Sequence, residues 1–215
     1  MSFDVVIFDW DGTLVDSVDH IAASLEQAAG DLGYPRRSRE ELRHIVGLGM
    51  QEALEHLYPG ISQREITELR EAYAQYFFSR DTTPEDLFSG IDSLLDRLRG
   101  EKRRMAVATG KSRPGLDRGL VSSRLGPYFE LTRCANETAS KPDPLMLRQI
   151  LDVTGVNASR AVMVGDTIYD MEMARRLGMP AIGVTWGVHS QDQLGAHGPV
   201  EIVSDRHALE RVLFS

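Results

Sequence analysis

The sequence Asp9-Trp10-Asp11-Gly12-Thr13-Leu14-Val15-Asp16 directly follows the apolar run Val5-Val6-Ile7-Phe8. Four β-favouring apolar residues in succession are typical of a strand buried on both faces, so the strand ends where the aspartates begin. In open parallel α/β sheets, ligands bind in the crevice outside the carboxyl ends of the strands. Asp9 and Asp11 can face one small site there, and their repulsion requires a cation or a shared proton. A divalent cation that prefers oxygen ligands, most simply Mg²⁺, is therefore expected, and Gly12 lets the backbone turn out of the strand.

The region after Asp16 has helical periodicity and shows no strand signal up to about residue 80. Capping-box patterns begin at Ser38 and Ser62, each with a glutamate three residues later, and they predict helix starts. We predict that residues 17–83 form an inserted all-helical module. Glycines in Val46-Gly47-Leu48-Gly49-Met50 would let a loop approach a ligand closely, although a plain helix–helix turn explains the pattern equally well. If this loop selects substrates, substitutions of its central leucine should change relative activities.

The rest of the chain alternates between short apolar strands and helices. Predicted strands cover residues 105–108, 128–131, 161–164, 181–184 and 200–203. Alternation of this kind predicts βαβ units, so the fold class is α/β, with a Rossmann-like core and a mostly parallel sheet. We assign residues 1–16 and 84–215 to this core and residues 17–83 to the helical insert. The two linkers between them would form a tether that can act as a hinge.

Composition limits the compartment and the partners. The formal net charge of −8 argues against a nucleic-acid partner, although a bound cation and a few lysines can still create a local anion site. No apolar run approaches the ~20 residues of a membrane span, and no signal-like segment precedes the first strand. Cys134 is the single cysteine, so an intrachain disulfide is impossible. We therefore expect a cytoplasmic protein that binds neither membranes nor nucleic acid.

Two further polar groups stand near predicted strand ends or helix starts. Thr109 and Gly110 follow the strand at residues 105–108, and their hydroxyl and amide can donate hydrogen bonds to phosphoryl oxygens. Lys141 precedes a helix that begins with proline, and a lysine in such a place is usually a solvated loop charge. On local grounds, both patterns allow a structural as well as a functional interpretation.

A second acidic pattern, Gly165-Asp166-Thr167-Ile168-Tyr169-Asp170, follows the buried apolar strand at residues 161–164. Asp166 could be an ordinary helix N-cap or a metal ligand. Asp170 lies one helical turn further on and could bind the metal or support its ligands.

In sequence order, the patterns D-x-D-G-T, T-G, K-P and G-D-x-x-x-D resemble those of the haloacid dehalogenase (HAD) superfamily. The stretch D-x-D-G-T-L-V-D is most similar to the phosphatase branch that includes the phosphoglycolate phosphatases. The resemblance covers most of the chain apart from the inserted helices and the C-terminal end. It implies an HAD core domain and identifies the helical insert as a cap that closes over the site.

The resemblance also implies a role for each motif residue. Asp9 would be the nucleophile, Asp11 the general acid/base, and Lys141 the group that balances the nucleophile's charge and binds the phosphoryl group. Mg²⁺ would be held by Asp9, Asp166 and the backbone carbonyl of Asp11. The expected catalytic residues are Asp9, Asp11, Thr109 and Lys141; the phosphate-binding residues are Asp11, Gly12, Thr109, Gly110 and Lys141; the metal ligands are Asp9, Asp11, Asp166 and Asp170.

The leading prediction is a Mg²⁺-dependent phosphatase that hydrolyses a small phosphorylated metabolite, phosphoglycolate-like or a sugar phosphate, through an aspartyl-phosphate. A β-phosphoglucomutase-type phosphomutase is the nearest alternative, but its histidine, five residues after the aspartate matching Asp16, corresponds to Ile21, with His20 one position short. A dehalogenase needs neither a second acid nor a metal, so Asp11 and Asp166 argue against it. A non-catalytic regulator on the same scaffold stays open, as does the choice between monomer and homodimer.

Three features outside the motifs carry weaker indications. Lys111 allows either a phosphate contact or a solvated helix start, and we expect the solvated helix start. Cys134 is expected to be a small buried residue rather than a nucleophile, since no Cys–His pattern accompanies it. The segment Trp186-Gly187-Val188-His189 follows a strand end and is a candidate for lining the site.

Overall fold

The computed structural model describes residues 3–215 and shows a parallel sheet with helices on both faces. Within these residues the sheet has six strands in the order β3-β2-β1-β4-β5-β6, and every neighbouring pair is parallel. The predicted α/β fold with a parallel sheet is therefore confirmed. The strands are β1 Val5–Phe8, β2 Arg104–Thr109, β3 Leu131–Cys134, β4 Ala161–Gly165, β5 Ala181–Val184 and β6 Glu201–Val203.

Five of the α-helices lie between β1 and β2: the first four form one group, and α5 leads into β2 and begins the alternation of helices with the later strands. The first group is α1 Val18–Asp31, α2 Arg39–His44, α3 Met50–Leu57 and α4 Gln63–Phe77. The second group is α5 Ile91–Gly100, α6 Arg113–Ser122, α7 Leu145–Thr154, α8 Ile168–Arg175, α9 Gln191–Gly195 and α10 Arg206–Leu213. No helix within residues 3–215 is long and apolar enough to cross a membrane.

Both predicted capping boxes are present. The Ser38 hydroxyl accepts a hydrogen bond from the backbone N–H of Glu41, and the Ser62 hydroxyl accepts one from Glu65. Each glutamate side chain in turn accepts a bond from its serine's backbone N–H, at 2.8 Å in both cases. These caps explain where α2 and α4 begin.

Two predicted boundaries were wrong. The third strand covers Leu131–Cys134 rather than 128–131, because residues Gly126–Tyr128 form a 3₁₀ turn around a proline that cannot donate to the strand ladder. The helix expected to begin at Pro142, directly after Lys141, begins only at Leu145. Pro142 and Pro144 disfavour helical backbone at Lys141 and Asp143, the residues before them, so both stay in a loop.

The core lies in two layers, one on each face of the sheet. Alternate residues of β1 contribute to each layer, as expected for a strand that is buried on both faces. On one face, Val6 and Phe8 pack with leucines of α5 and α10. On the other face, Val5 and Ile7 pack with residues of α7 and α8.

Helices α1 to α4 bury a separate apolar cluster of their own, which includes Leu25, Leu54 and Leu69. The linkers that join these helices to the sheet lie side by side. Val15 and Leu87 form an antiparallel bridge, and the N–H of Asp16 donates to the carbonyl of Asp86 at 2.8 Å. The division into core and cap domains, and the hinge between them, stay predictions.

Candidate active site

Three adjacent strands deliver the motif residues to one edge of the sheet. Asp9 follows β1, Thr109 is the last residue of β2, and Asp166 follows β4. Since β1 pairs with both β2 and β4 in parallel, the carboxyl ends of all three strands meet at the same place. Lys141 reaches this place from the loop after β3 and is completely buried there.

Lys141 lies between two buried carboxylates. Its Nζ is 2.7 Å from Asp9 Oδ1 and 2.7 Å from Asp170 Oδ1. Burial alone would lower the pKa of Lys141, but the charges of Asp170 and Asp9 outweigh burial and raise it above its usual range. Burial raises the pKa of Asp9 well above its ordinary value, although Lys141 opposes the shift. Asp9 Oδ2 is buried and has no hydrogen-bond partner in the described part of the chain.

Asp166 is held on both carboxylate oxygens. The Thr13 hydroxyl donates to Oδ1 at 2.7 Å, and the backbone N–H of Val188 donates to Oδ2 at 2.8 Å. Burial, with the nearby charge of Asp170, raises the pKa of Asp166 to about 7, and the hydrogen bonds oppose this shift. Gly12 has a φ of +84°, and a Cβ there would overlap the Asp166 carboxylate, so both its conformation and the space favour glycine.

Asp11 has partners that the sequence did not indicate. Lys111 Nζ lies 3.0 Å from each carboxylate oxygen of Asp11, and the Ser17 hydroxyl donates to Oδ1 at 2.6 Å. The expectation of a solvated Lys111 was therefore wrong, and its side chain is only 8% exposed. The helix begins at Arg113, so Lys111 belongs to the strand-end loop, and its side chain can turn into the site.

The loop after α2 reaches this edge of the sheet. A Cβ on Gly110 would overlap the backbone carbonyls of Gly47 and Leu48, which shows how closely the loop approaches. The N–H of Gly49 donates to the Ser140 hydroxyl at 2.7 Å, which adds a second tie. The predicted loop therefore lies against the strand ends, while its role in selecting substrates stays a prediction.

A pair of histidines, His44 in α2 and His189 in the loop after β5, also joins the helical region to the edge of the sheet. Ile168 N–H donates to His189 Nδ1 at 3.2 Å, so the proton of His189 is on Nε2, which lies 3.0 Å from His44 Nδ1. Burial, and then the neighbouring His44, lower the pKa of His189 to about 4. This buried contact helps to hold α2 against the loop after β5.

The carboxylates of Asp9, Asp166 and Asp170 fit a divalent cation. Each offers an oxygen within 4.8 Å of the others. Three carboxylates and the Lys141 ammonium leave a formal charge of −2 if all are ionised, and Asp9 Oδ2 is free to bind. Asp170 is bound by Lys141 and by the Thr167 hydroxyl at 2.6 Å, which favours an outer position for it.

Sequence reasoning missed the contributions of Ser17 and Thr13, and it favoured a solvated position for Lys111. Thr13 stands inside the first motif, so its position near the second acidic motif could have been inferred. The candidate segment Trp186–His189 does line the site: Trp186 Nε1 donates to the carbonyl of Thr13 at 3.1 Å. Nothing in the local sequence around Lys111 or Ser17 indicated their contact with Asp11.

The sequence is similar to those of known proteins. Residues 6–184 match the family model described as haloacid dehalogenase-like hydrolase, a range that includes every site aspartate. A Dickeya dadantii protein named "Probable phosphatase IndB" is 35% identical over 95% of this chain and 94% of its own length. A Pseudomonas putida protein named phosphoglycolate phosphatase is 28% identical over 95% of this chain and 78% of its own length.

Solved structures share the fold. The crystal structure of a hydrolase from Pseudomonas syringae superposes with a TM-score of 0.88 at 23% identity, covering 99% of this chain and 98% of that one. The chain therefore belongs to the haloacid dehalogenase-like hydrolase family, and within it to the phosphoric monoester hydrolases that its named relatives represent.

Proposed function

We propose that this protein is a Mg²⁺-dependent phosphatase that hydrolyses a small-metabolite phosphomonoester through an aspartyl-phosphate intermediate. The observation that carries the proposal is the state of the Asp9 carboxylate. It is buried, its Oδ1 contacts Lys141, and its Oδ2 has no hydrogen-bond partner within residues 3–215. Buried polar atoms with a purely structural role are normally hydrogen-bonded, whereas a nucleophile or a cation ligand needs a free oxygen.

In the first half of the reaction, a carboxylate oxygen of Asp9 attacks phosphorus, and the bond from phosphorus to the leaving-group oxygen breaks. Asp11, in its protonated form, gives its proton to that oxygen. The Thr109 hydroxyl, the Gly110 amide and the Lys141 ammonium stabilise the oxygens of the transferring group. The products are the free alcohol and a phosphorylated Asp9.

In the second half, water attacks the phosphorus of the aspartyl-phosphate, and Asp11 takes up the water's proton. The bond between phosphorus and the Asp9 oxygen breaks, which releases inorganic phosphate and restores both carboxyl groups. Lys111 and Ser17 hold Asp11 in place in the structure. An anionic phosphoryl group would compete for the Lys111 ammonium, and Asp11 would then be free to turn toward the leaving-group oxygen.

A bound Mg²⁺ would offset the repulsion between the phosphoryl group and the aspartates. Asp9 and Asp166 are the side chains that would hold it, with the backbone carbonyl of Asp11. Asp170 would act through Lys141, whose ammonium it contacts. A phosphoglycolate-like or sugar phosphate substrate, a cytoplasmic location and a monomer or homodimer stay predictions from the sequence.

The test is phosphate release from a panel of phosphomonoesters with Mg²⁺, with EDTA, and with Mg²⁺ restored after EDTA. We expect release that EDTA abolishes and Mg²⁺ restores. Asp152→Asn, on the exposed face of α7, is a matched control for aspartate substitutions and should keep full activity. Phosphate release that continues at the same rate in EDTA would contradict the metal requirement. The absence of release from every ester, with folded protein, would favour a phosphomutase or a non-catalytic regulator.

A further inference from the structure

A cavity of about 130 Å³ lies between the strand ends on one side and helices α1, α3 and α4 with the loop after α2 on the other. Asp9, Asp11 and Thr109 line it where β1 and β2 end. A phosphoryl group bound at Asp9 would therefore direct its leaving group into this cavity. The chemistry of the remaining walls indicates what kind of leaving group can be bound.

The walls away from Asp9 are mostly apolar and come from the helices and the loop after α2. Isoleucine, leucine, methionine and phenylalanine side chains dominate them. The principal apolar residues are Ile21, Ile45, Leu48, Met50, Phe77 and Phe78. A pocket with such walls binds apolar groups by removing their surface from water.

The polar side chains of the walls are largely occupied. Lys111 binds Asp11, or the phosphoryl group once a substrate is bound, and its ammonium also lies 4.4 Å from the centre of the Phe77 ring. The Ser112 hydroxyl accepts a hydrogen bond from Gly115 N–H as the cap of α6. Within residues 3–215, the Tyr73 hydroxyl and the exposed Arg70 are the wall side chains that keep free polar groups.

A sugar would bring several hydroxyl groups into this space, and most of them would find no side-chain partner. Burying a polar group without a hydrogen bond costs free energy, and a hydrophobic wall gives no compensating contact. A carboxylate next to the phosphate, as in phosphoglycolate, would lie beside the carboxylates of Asp9 and Asp11 and opposite apolar side chains, and the exposed Arg70 is the cation of the walls that has no carboxylate partner within residues 3–215. The cavity volume of about 130 Å³ is also close to the ~150 Å³ volume of a dry cavity that binds benzene.

We propose that the leaving group of the physiological substrate is a compact apolar body of about one ring, either an aromatic ring or a branched alkyl group. This inference rests on the proposed phosphatase function, because the ester is hydrolysed at Asp9. Leu48 is a specificity-determining residue, since its loop meets Gly110 and its side chain lines the cavity.

The decisive comparison uses esters of similar intrinsic reactivity, namely benzyl phosphate and cyclohexylmethyl phosphate against phosphoglycolate and glucose 6-phosphate. With Mg²⁺ present, we expect kcat/KM to be at least ~10-fold higher for the two apolar esters. Equal or lower values for them would overturn the inference while leaving the phosphatase proposal intact. Release from none of the esters would instead overturn the phosphatase proposal.

Binding gives a readout that needs no turnover. Benzylphosphonate and phosphonoacetate, which cannot be hydrolysed, are titrated into the wild-type protein by calorimetry with Mg²⁺. We expect benzylphosphonate to bind at least ~10-fold more tightly, because its ring enters the apolar part of the cavity. Tighter binding of phosphonoacetate, lost in Arg70→Ala, would show that Arg70 selects an acidic leaving group and would overturn the inference.

A charge placed in the wall tests the location. Leu48→Arg should lower the ratio of benzyl phosphate to phosphoglycolate activity at least ~10-fold while phosphate release continues. Leu32→Arg, at the exposed C-terminal end of α1 and outside the cavity, is the matched control and should leave the ratio unchanged. An unchanged ratio in Leu48→Arg would show that the leaving group lies elsewhere.

Discussion

The two sides of the cavity differ in how their side chains are held. On the sheet side, each carboxylate has defined charged or polar partners: Asp9 has Lys141, Asp11 has Lys111, and Asp166 has Thr13. On the helical side, Leu48 and Phe77 contact the cavity as part of an apolar cluster. The sheet side therefore depends on direction and charge, and the helical side on shape and volume.

This difference teaches which changes each side can tolerate. A buried charge that loses its partner is costly, so the sheet side allows few substitutions. Apolar walls tolerate exchange of one hydrophobic residue for another of similar volume. We expect substitutions on the sheet side to stop the chemistry, and substitutions on the helical side to change which ester is hydrolysed.

Asp9→Asn should have the largest effect. The amide cannot attack phosphorus, so we expect phosphate release to fall by roughly 10⁴-fold or more. The fold should survive for two reasons. Burial raises the pKa of Asp9, so the site favours a neutral side chain there, and Lys141 keeps its contact with Asp170. Phosphate assays and thermal unfolding by circular dichroism measure the two effects. Near-normal turnover would remove Asp9 as the nucleophile.

Asp11→Asn should have a smaller but still large effect, at least ~10²-fold on kcat, since proton transfer to the leaving group is lost. The same assay measures it. Asp16→Asn is the matched control because Asp16 is exposed in the same segment. If both variants lost activity equally, the effect would come from the segment's conformation rather than from acid/base catalysis.

Gly110→Ala tests the contact between the two sides. The added Cβ would overlap the carbonyls of Gly47 and Leu48 and displace the loop, so we expect kcat/KM to fall ~10-fold. Gly100→Ala, at the end of α5 with no atom near the added Cβ, should behave like wild type. Steady-state kinetics on both variants measure kcat/KM. Full activity in Gly110→Ala would show that the position of the loop does not affect catalysis.

The smallest expected effect concerns the thiol of Cys134, which the reaction does not use. Cys134 pairs in register with Thr109 on the neighbouring strand. Burial raises the pKa of its thiol to about 12, so at pH 8 the native thiol is almost entirely protonated. We expect slow modification by a thiol reagent in the native protein and rapid modification in guanidinium chloride. This neutral thiol favours the folded state below the unfolded pKa, and that contribution is lost as pH rises toward 12. Rapid native modification at pH 8 would contradict the burial.

The sequence was most informative where a motif directly follows an apolar strand. Asp9, Asp11 and Asp166 could be placed together because strands of one parallel sheet end on the same edge. It failed at Lys111, where a local pattern suggested a solvated helix start. The third strand was misplaced by three residues, because the turn around Pro127 interrupts the apolar pattern.

Local patterns thus determined the elements, their alternation and the carboxylates at the strand ends, since periodicity and motifs depend on neighbouring residues. The packing of the folded chain decided the partners: Lys111 on Asp11, Asp170 on Lys141, and apolar helical side chains across from Asp9. These contacts join residues far apart in the chain, and their geometry depends on how helices and strands pack. No local pattern encodes contacts between residues so far apart in the chain. The cavity beside Asp9 is therefore visible only in the folded structure.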